Sequence, residues 1–193
     1  SILRGFFVDG DLDSMRLEGM ATTLYHIFED SVYQGKNEAS GDTISMKFGA
    51  DDLEKIFVSG GSRGTYTPDS TNADMEGAVV YESEDIEYDV ANEFTNLHGD
   101  AIIDYTNVNL NAGFINVAWQ NNLLKAYPES MLDSTYGRIR PTMVEQGEEP
   151  MVGDTMMYNL ETRHGKVLRG KTKAQDGYYH GQEIRNQDMD VLY

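Results

Sequence analysis

Carboxylates are the most abundant reactive groups in this chain. Their tightest set is DGDLDS, where Asp9, Asp11 and Asp13 alternate as at the start of an EF-hand calcium loop. Such a loop needs glycine at its sixth position and glutamate at its twelfth. Ser14 and Met20 stand there instead, so the stretch reads as a polar hairpin turn. The histidines, His26, His98, His164 and His180, show neither H-x-H nor H-E-x-x-H spacing, and three of them precede a glycine in turn-like surroundings. Neither a metal nor a cofactor is expected. Covalent catalysis finds no candidate either: there is no G-x-S-x-G, no P-loop and no cysteine. A glycosidase needs two carboxylates, but acids are so frequent here that finding a pair carries no information. The expectation is a protein that is not an enzyme.

Two other sets of residues suggest binding. Arg169, Lys171 and Lys173 alternate, so they project to one side of an extended strand, either as an anion contact or as a plain solvated face. Trp119, Tyr88, Tyr105, Tyr158 and Phe114, with Met46, Met156 and Met157, fall on or near apolar strand faces. They suit a close-packed sandwich core, or a sandwich splayed open into a trough for a long apolar ligand, since methionine and large aromatics adapt to such a surface.

Charge narrows the partners. The chain has 33 acidic residues against 15 basic ones, a formal net charge of -18, which opposes a duplex nucleic-acid surface built on phosphate contacts. No nucleic-acid partner is expected. Between Gly64 and Leu124 there is no Lys or Arg, whereas RHGKVLRGKTK at 163–173 has five and no acid. Most of the acidic excess is read as solvating outward strand faces. The absence of cysteine rules out a disulfide framework without identifying a compartment. No apolar run approaches the roughly 20 residues of a membrane-spanning helix.

The elements that carry these residues are strands. In HGDAIIDYTNVNLNAGF (98–114), Ala101, Ile103 and Tyr105 alternate, the phase slips at Thr106-Asn107, and Val108, Leu110 and Ala112 resume. A two-residue turn at the slip pairs Tyr105 with Val108, Ile103 with Leu110 and Ala101 with Ala112, all on one face. Asn is the residue of the two that readily takes positive φ, so the turn type stays open.

The same layout of strand, four-residue loop and strand occurs at 83–101, 112–126 and 153–172, with loops 91–94, 120–123 and 161–164, and once more at 41–61 with a longer connection. The closings LEGMA (17–21), LHGDA (97–101) and LRGKT (168–172) are alike. Short strands with one apolar face each cannot bury it alone and must stack. Residues 51–55 hold the sole helical-turn candidate, short enough to be a loop; 61–78 and 128–153 read as long loops. The expected architecture is all-β, an elongated β-jellyroll or β-taco of two facing antiparallel sheets built from repeated hairpins, one domain over 1–193. SILR at the start lacks a secretion-signal layout, and MDVLY ends as an uncapped strand. The expectation is therefore a domain cut from a longer protein.

LHGDAIIDYTNVNLNAGFINVAWQNNLLKA and MMYNLETRHGKVLRGKTKAQDGYYHGQEI resemble the periplasmic domains of the OstA/LptA-like lipopolysaccharide-transport family, whose units repeat "G-x-A, alternating strand, L-x-A-x-x-I, turn, L-x-A". The second is similar to the stretch before the outer-membrane barrel in the family's translocon. The resemblance runs from about Gly19 onward. It implies a V-shaped jellyroll in which lipopolysaccharide acyl chains ride between the sheets, and in which edge strands join one jellyroll domain to the next. By that resemblance the groove is lined by Ile86, Tyr88, Leu97, Ile103, Tyr105, Leu110, Ile115, Val117, Trp119 and Leu124, and the place of action is the periplasm, at the outer membrane. A structural or adhesive cell-surface β-solenoid module with a closed core is the alternative, and an acidic carbohydrate-binding or carbohydrate-cleaving module comes third.

Overall fold

Strands that alternate apolar and polar residues must first pair and then stack to bury the apolar side. Both steps are visible in the computed structural model, which describes residues 1–29, 31–49, 52–71, 75–128, 139–174, 177–188 and 191–192. The strands are β1 (Ile2–Val8), β2 (Asp11–Glu29), β3 (Val32–Phe48), β4 (Leu53–Pro68), β5 (Val79–Asp89), β6 (Phe94–Tyr105) and β7 (Val108–Ala118). After a short 3-10 turn (Trp119–Asn121) come β8 (Leu123–Tyr127), β9 (Thr142–Glu145), β10 (Met151–Val152), β11 (Thr155–Asn159), β12 (Gly165–Ala174), β13 (Gly177–Asp188) and β14 (Val191–Leu192). Every pairing is antiparallel, and β1 to β8 lie side by side in chain order.

A line of β-bulges crosses this array. The register shifts between Glu18 and Ala21, Ser40 and Thr43, Ser59 and Ser62, Glu82 and Asp85, and His98 and Ala101, so each break falls beside the last. Gly19, Met20, Gly60, Gly61, Gly99 and Asp100 take positive φ at these breaks. A bulge bends its strand, and aligned bulges crease the whole array into two sheets that face each other. Tyr81 and Tyr88 mark the fold: seven residues of straight strand span about 23 Å, yet their hydroxyls lie 2.9 Å apart across the crease. Beyond the crease β7 changes partner, pairing with β9 through 108–111 and with β8 through 114–118. β12 likewise pairs with β11 through 165–168 and with β10 at Lys171. The fold is thus an all-β jellyroll of two facing antiparallel sheets.

The hairpin at Thr106-Asn107 has the expected register, and all six facing side chains are buried. Thr106, not Asn107, carries the positive φ. The repeated loops also stand where the alternation breaks: Tyr88 pairs with Thr95, Val117 with Leu124, and Tyr158 with Gly165. Four details differ from expectation. Ser62 to Pro68, expected within the long loop 61–78, continue β4 in its pairing with β3 and β5. Leu53 to Lys55 are strand, because they continue the pairing of β4 with β3 and β5. The stretch 128–153 contains β9 and β10, which give the second sheet the partners that β8 and β11, ending at the crease, do not supply. In LRGKT the phase is displaced by one: Val167 is the buried residue and Arg169 takes the positive φ.

Candidate functional site

Burial grows along the array. β1 is exposed on both faces, and in β2 Ala21 alone among the described side chains is buried in the core. β5, β6 and β7, in contrast, bury their inward residues from Val79 to Val117 along an alternation that β6 keeps throughout and that β5 and β7 break only at the crease. Opposite the crease, the mouth between the sheets is covered at its β6 to β12 end by residues 75–78. Met75 is buried, the Glu76 N–H donates to the Tyr105 hydroxyl at 3.2 Å, and the Glu76 carboxylate pairs with Arg163 in the turn before β12. At the β2 to β5 end the mouth stays open. Leu17, Ile27, Met46 and Leu53 are only partly buried against the core there.

A cleft of about 350 Å³ occupies this open end, within the roughly 300–1,000 Å³ of small-molecule sites. The second sheet supplies Tyr25, Ile27, Phe28, Gln34, Asn37 and Tyr66. The first sheet and its loops supply Tyr88, Asp89, Val90, Glu93, Phe94, Thr95, Trp119, Gln120, Asn122 and Glu161. Trp119 and Tyr66 meet across the mouth with ring centroids 4.8 Å apart and planes tilted by 46°. Both rings are fixed from behind: Trp119 Nε1 donates to Thr95 Oγ1 at 2.8 Å, and the Tyr66 hydroxyl donates to the Gln34 carbonyl at 3.1 Å. The 3-10 turn that presents Trp119 is anchored by its N–H on the Glu93 carbonyl at 3.0 Å. At the floor the Tyr81 hydroxyl donates to Asn37 Oδ1 and contacts the Tyr88 hydroxyl.

The electrostatics of the cleft are acidic. Burial opposes ionisation of Asp89, but hydrogen bonds from Asn92 and the Lys55 ammonium at 3.5 Å hold its carboxyl below the ordinary value. Burial raises the Tyr25 phenol, and the nearby charges of Glu93 and Asp52 add to the effect. Burial likewise raises Tyr66 and Tyr88.

Of the residues assigned to a groove by phase, Tyr88 and Trp119 line this cleft. Ile103, Tyr105, Leu110 and Leu124 surround a separate void of about 10 Å³, no larger than one water needs. Ile86, Leu97, Ile115 and Val117 are 0–2% exposed in the packed core. The basic trio lies apart from the cleft. Arg169 sits on the crease 2.6 Å from Asp154, while Lys171 and Lys173 are exposed with no acidic partner among the described residues. Sequence reasoning missed Tyr25, Ile27 and Tyr66. Tyr66 could have been read from its place between the polar Thr65 and Thr67, whereas Tyr25 and Ile27 lie in LYHIF, where the exposed Leu24 and Phe28 hide the alternation.

No protein-family model and no curated protein matches the chain. Among solved structures it is similar to that of LptH, the LptA homologous periplasmic component of the conserved lipopolysaccharide transport device from Pseudomonas aeruginosa. The identity is 16% over 65% of this chain and 94% of that one, with a TM-score of 0.48.

Proposed function

We propose that this chain is a periplasmic carrier domain that shelters the acyl chains of lipopolysaccharide or a related glycolipid in the cleft and passes them toward the outer membrane, without catalysing a reaction. The observation that carries this reading is the asymmetry of the fold: the space between the sheets is filled at one end and open, with aromatic walls, at the other. The repeat rhythm of the sequence supports it. Removing a methylene from water is worth about 0.8 kcal/mol, so a tail of ten would gain about 8 kcal/mol before ordering costs, and transport needs no reactive group. On this reading the tail enters between Tyr88 and Trp119. Ile86, Leu97, Ile103, Tyr105, Leu110, Ile115, Val117 and Leu124 are the apolar continuation it meets where the sheets part. Lys171 and Lys173, with Arg169, are available to phosphates that stay outside. Among the described residues the outer edge of β1 is unpaired, and it suits strand addition by another jellyroll domain.

The close packing of β5 to β7 favours one rival, a structural or adhesive module whose core is closed throughout. Titration of lipopolysaccharide, and separately of its lipid-free oligosaccharide, against Trp119 emission separates the two. The carrier reading expects a saturable blue shift with the lipid form alone. Ile27→Asp, at the partly buried wall, should remove that shift while the domain stays folded. Ile103→Asp, 2% exposed, should unfold it. A folded Ile27→Asp that retains the full response refutes the cleft as the lipid site.

A further inference from the structure

The cleft is lined unlike a simple grease channel. Every charged side chain among its described lining residues is a carboxylate. Asp89 is already answered by Lys55, but Glu93 and Glu161 have no cationic partner among the described residues. Both stand on loops pinned beside the aromatic wall: the Glu93 carbonyl accepts the Trp119 N–H, and the Asn122 carbonyl accepts the N–H of Leu160, next to Glu161, at 2.8 Å. The same cleft is lined by the Tyr66–Trp119 pair, with Tyr25 on the sheet that carries Tyr66. Carboxylates around aromatic faces favour a weakly hydrated cation, because the ring quadrupole and the negative charge act in the same direction.

The floor adds an independent feature. Asn37 is 6% exposed and lines the cleft. Its Oδ1 accepts from the Tyr81 hydroxyl, and its Nδ2, which donates to no side chain or backbone group among the described residues, is open to the cleft. An amide N–H that faces the cleft can donate to a carbonyl, ester or hydroxyl oxygen on whatever fills the site.

We infer that the cleft is a receptor for cationic amphiphiles: an ammonium head held by Glu93, Glu161 and the Tyr66–Trp119 pair, with an oxygen acceptor against Asn37 and an alkyl chain along Ile27. This depends on the cleft being open and not on its cargo being lipopolysaccharide, so either reading can fail alone.

Four twelve-carbon probes test it, each kept below its micelle concentration and read by Trp119 emission: lauroylcholine, dodecyltrimethylammonium, 1-dodecanol and dodecanoate. The two ammonium probes should bind about ten-fold or more tightly than dodecanoate, with 1-dodecanol between, and lauroylcholine should be the tightest of all. Glu93→Gln with Glu161→Gln should erase the preference for ammonium. Glu148→Gln with Glu149→Gln, which removes the same charge from an exposed turn, should leave it intact. Equal loss in both double variants would show a mere effect of net charge and overturn the inference. So would dodecanoate binding as tightly as the ammonium probes, or no binding by any probe. Lauroylcholine no tighter than dodecyltrimethylammonium would overturn the part given to Asn37. A saturable lipopolysaccharide response without ammonium preference would refute this inference and leave the carrier reading standing.

Discussion

Tyr81, Tyr88 and Asn37 tie the two sheets together through hydroxyl and amide groups, and burial makes their protonation a condition of the fold. Both phenols are pushed well above their ordinary value by desolvation, and burial also raises Tyr158, to about 12. An unfolded tyrosine ionises near pH 10. The folded state therefore holds these protons more tightly than the unfolded one. The stability they contribute is whole below about pH 10 and is lost as pH rises toward the folded values, beginning between about 10 and 12. Urea midpoints should be level to about pH 9.5 and then fall, with tyrosinate absorbance at 295 nm rising in step with unfolding. Tyr88→Phe and Tyr158→Phe should flatten the fall. Tyr81→Phe should cost about 1–3 kcal/mol at neutral pH, since Asn37 Oδ1 loses its donor. Full ionisation of the buried phenols with the circular-dichroism signal intact would contradict this account.

Among the elements, the crease is what turns one array into two sheets, and it rests on backbone that side chains rarely allow. Gly99 has φ of +74°, with its place for a Cβ against the Glu84 side chain. Gly99→Val should cost about 1–3 kcal/mol in a urea melt, and Gly99→Asn, which tolerates the left-handed region, distinctly less. Equal losses would mean that the contact with Glu84, not the backbone, sets the cost. The crease was half visible in the sequence. LEGMA and LHGDA do mark bulges, but their likeness gave no hint that a bend rather than a strand end lay there, and LRGKT suggested the wrong phase because Leu168 mimics the buried Val167. Hairpins were legible wherever alternation broke and resumed, as at Thr106-Asn107. β9 and β10 were not, since strands of four and two residues have too few side chains to show a period. Of the cleft, Tyr88 and Trp119 could be read from phase. Which part of the array stays open could not, because that depends on how residues 75–78 cap one end only.

For the whole molecule, the gradient of burial implies a gradient of local stability, because amides open most easily where few apolar contacts hold them. Native-state hydrogen exchange should protect β5, β6 and β7 most, around Ile86, Leu97, Ile103 and Ile115, which are 0–2% exposed. Protection should decline through β4 and β3 and be weakest in β1, exposed along its length. The same experiment locates a bound tail. An amphiphile in the cleft adds apolar contacts to β2, β3 and β4, so it should slow exchange of the amides around Tyr25, Ile27, Asn37 and Tyr66 by the largest factor and change β5 to β7 little, since those strands are packed already. Equal slowing everywhere would indicate global stabilisation by mass action rather than closure of one end. Slowing confined to β6 and β7 would put the chain deep between sheets that part to admit it. An unliganded profile with no gradient would mean that the closed and open ends unfold as one unit, and the cleft would then not be the pliable end of the fold.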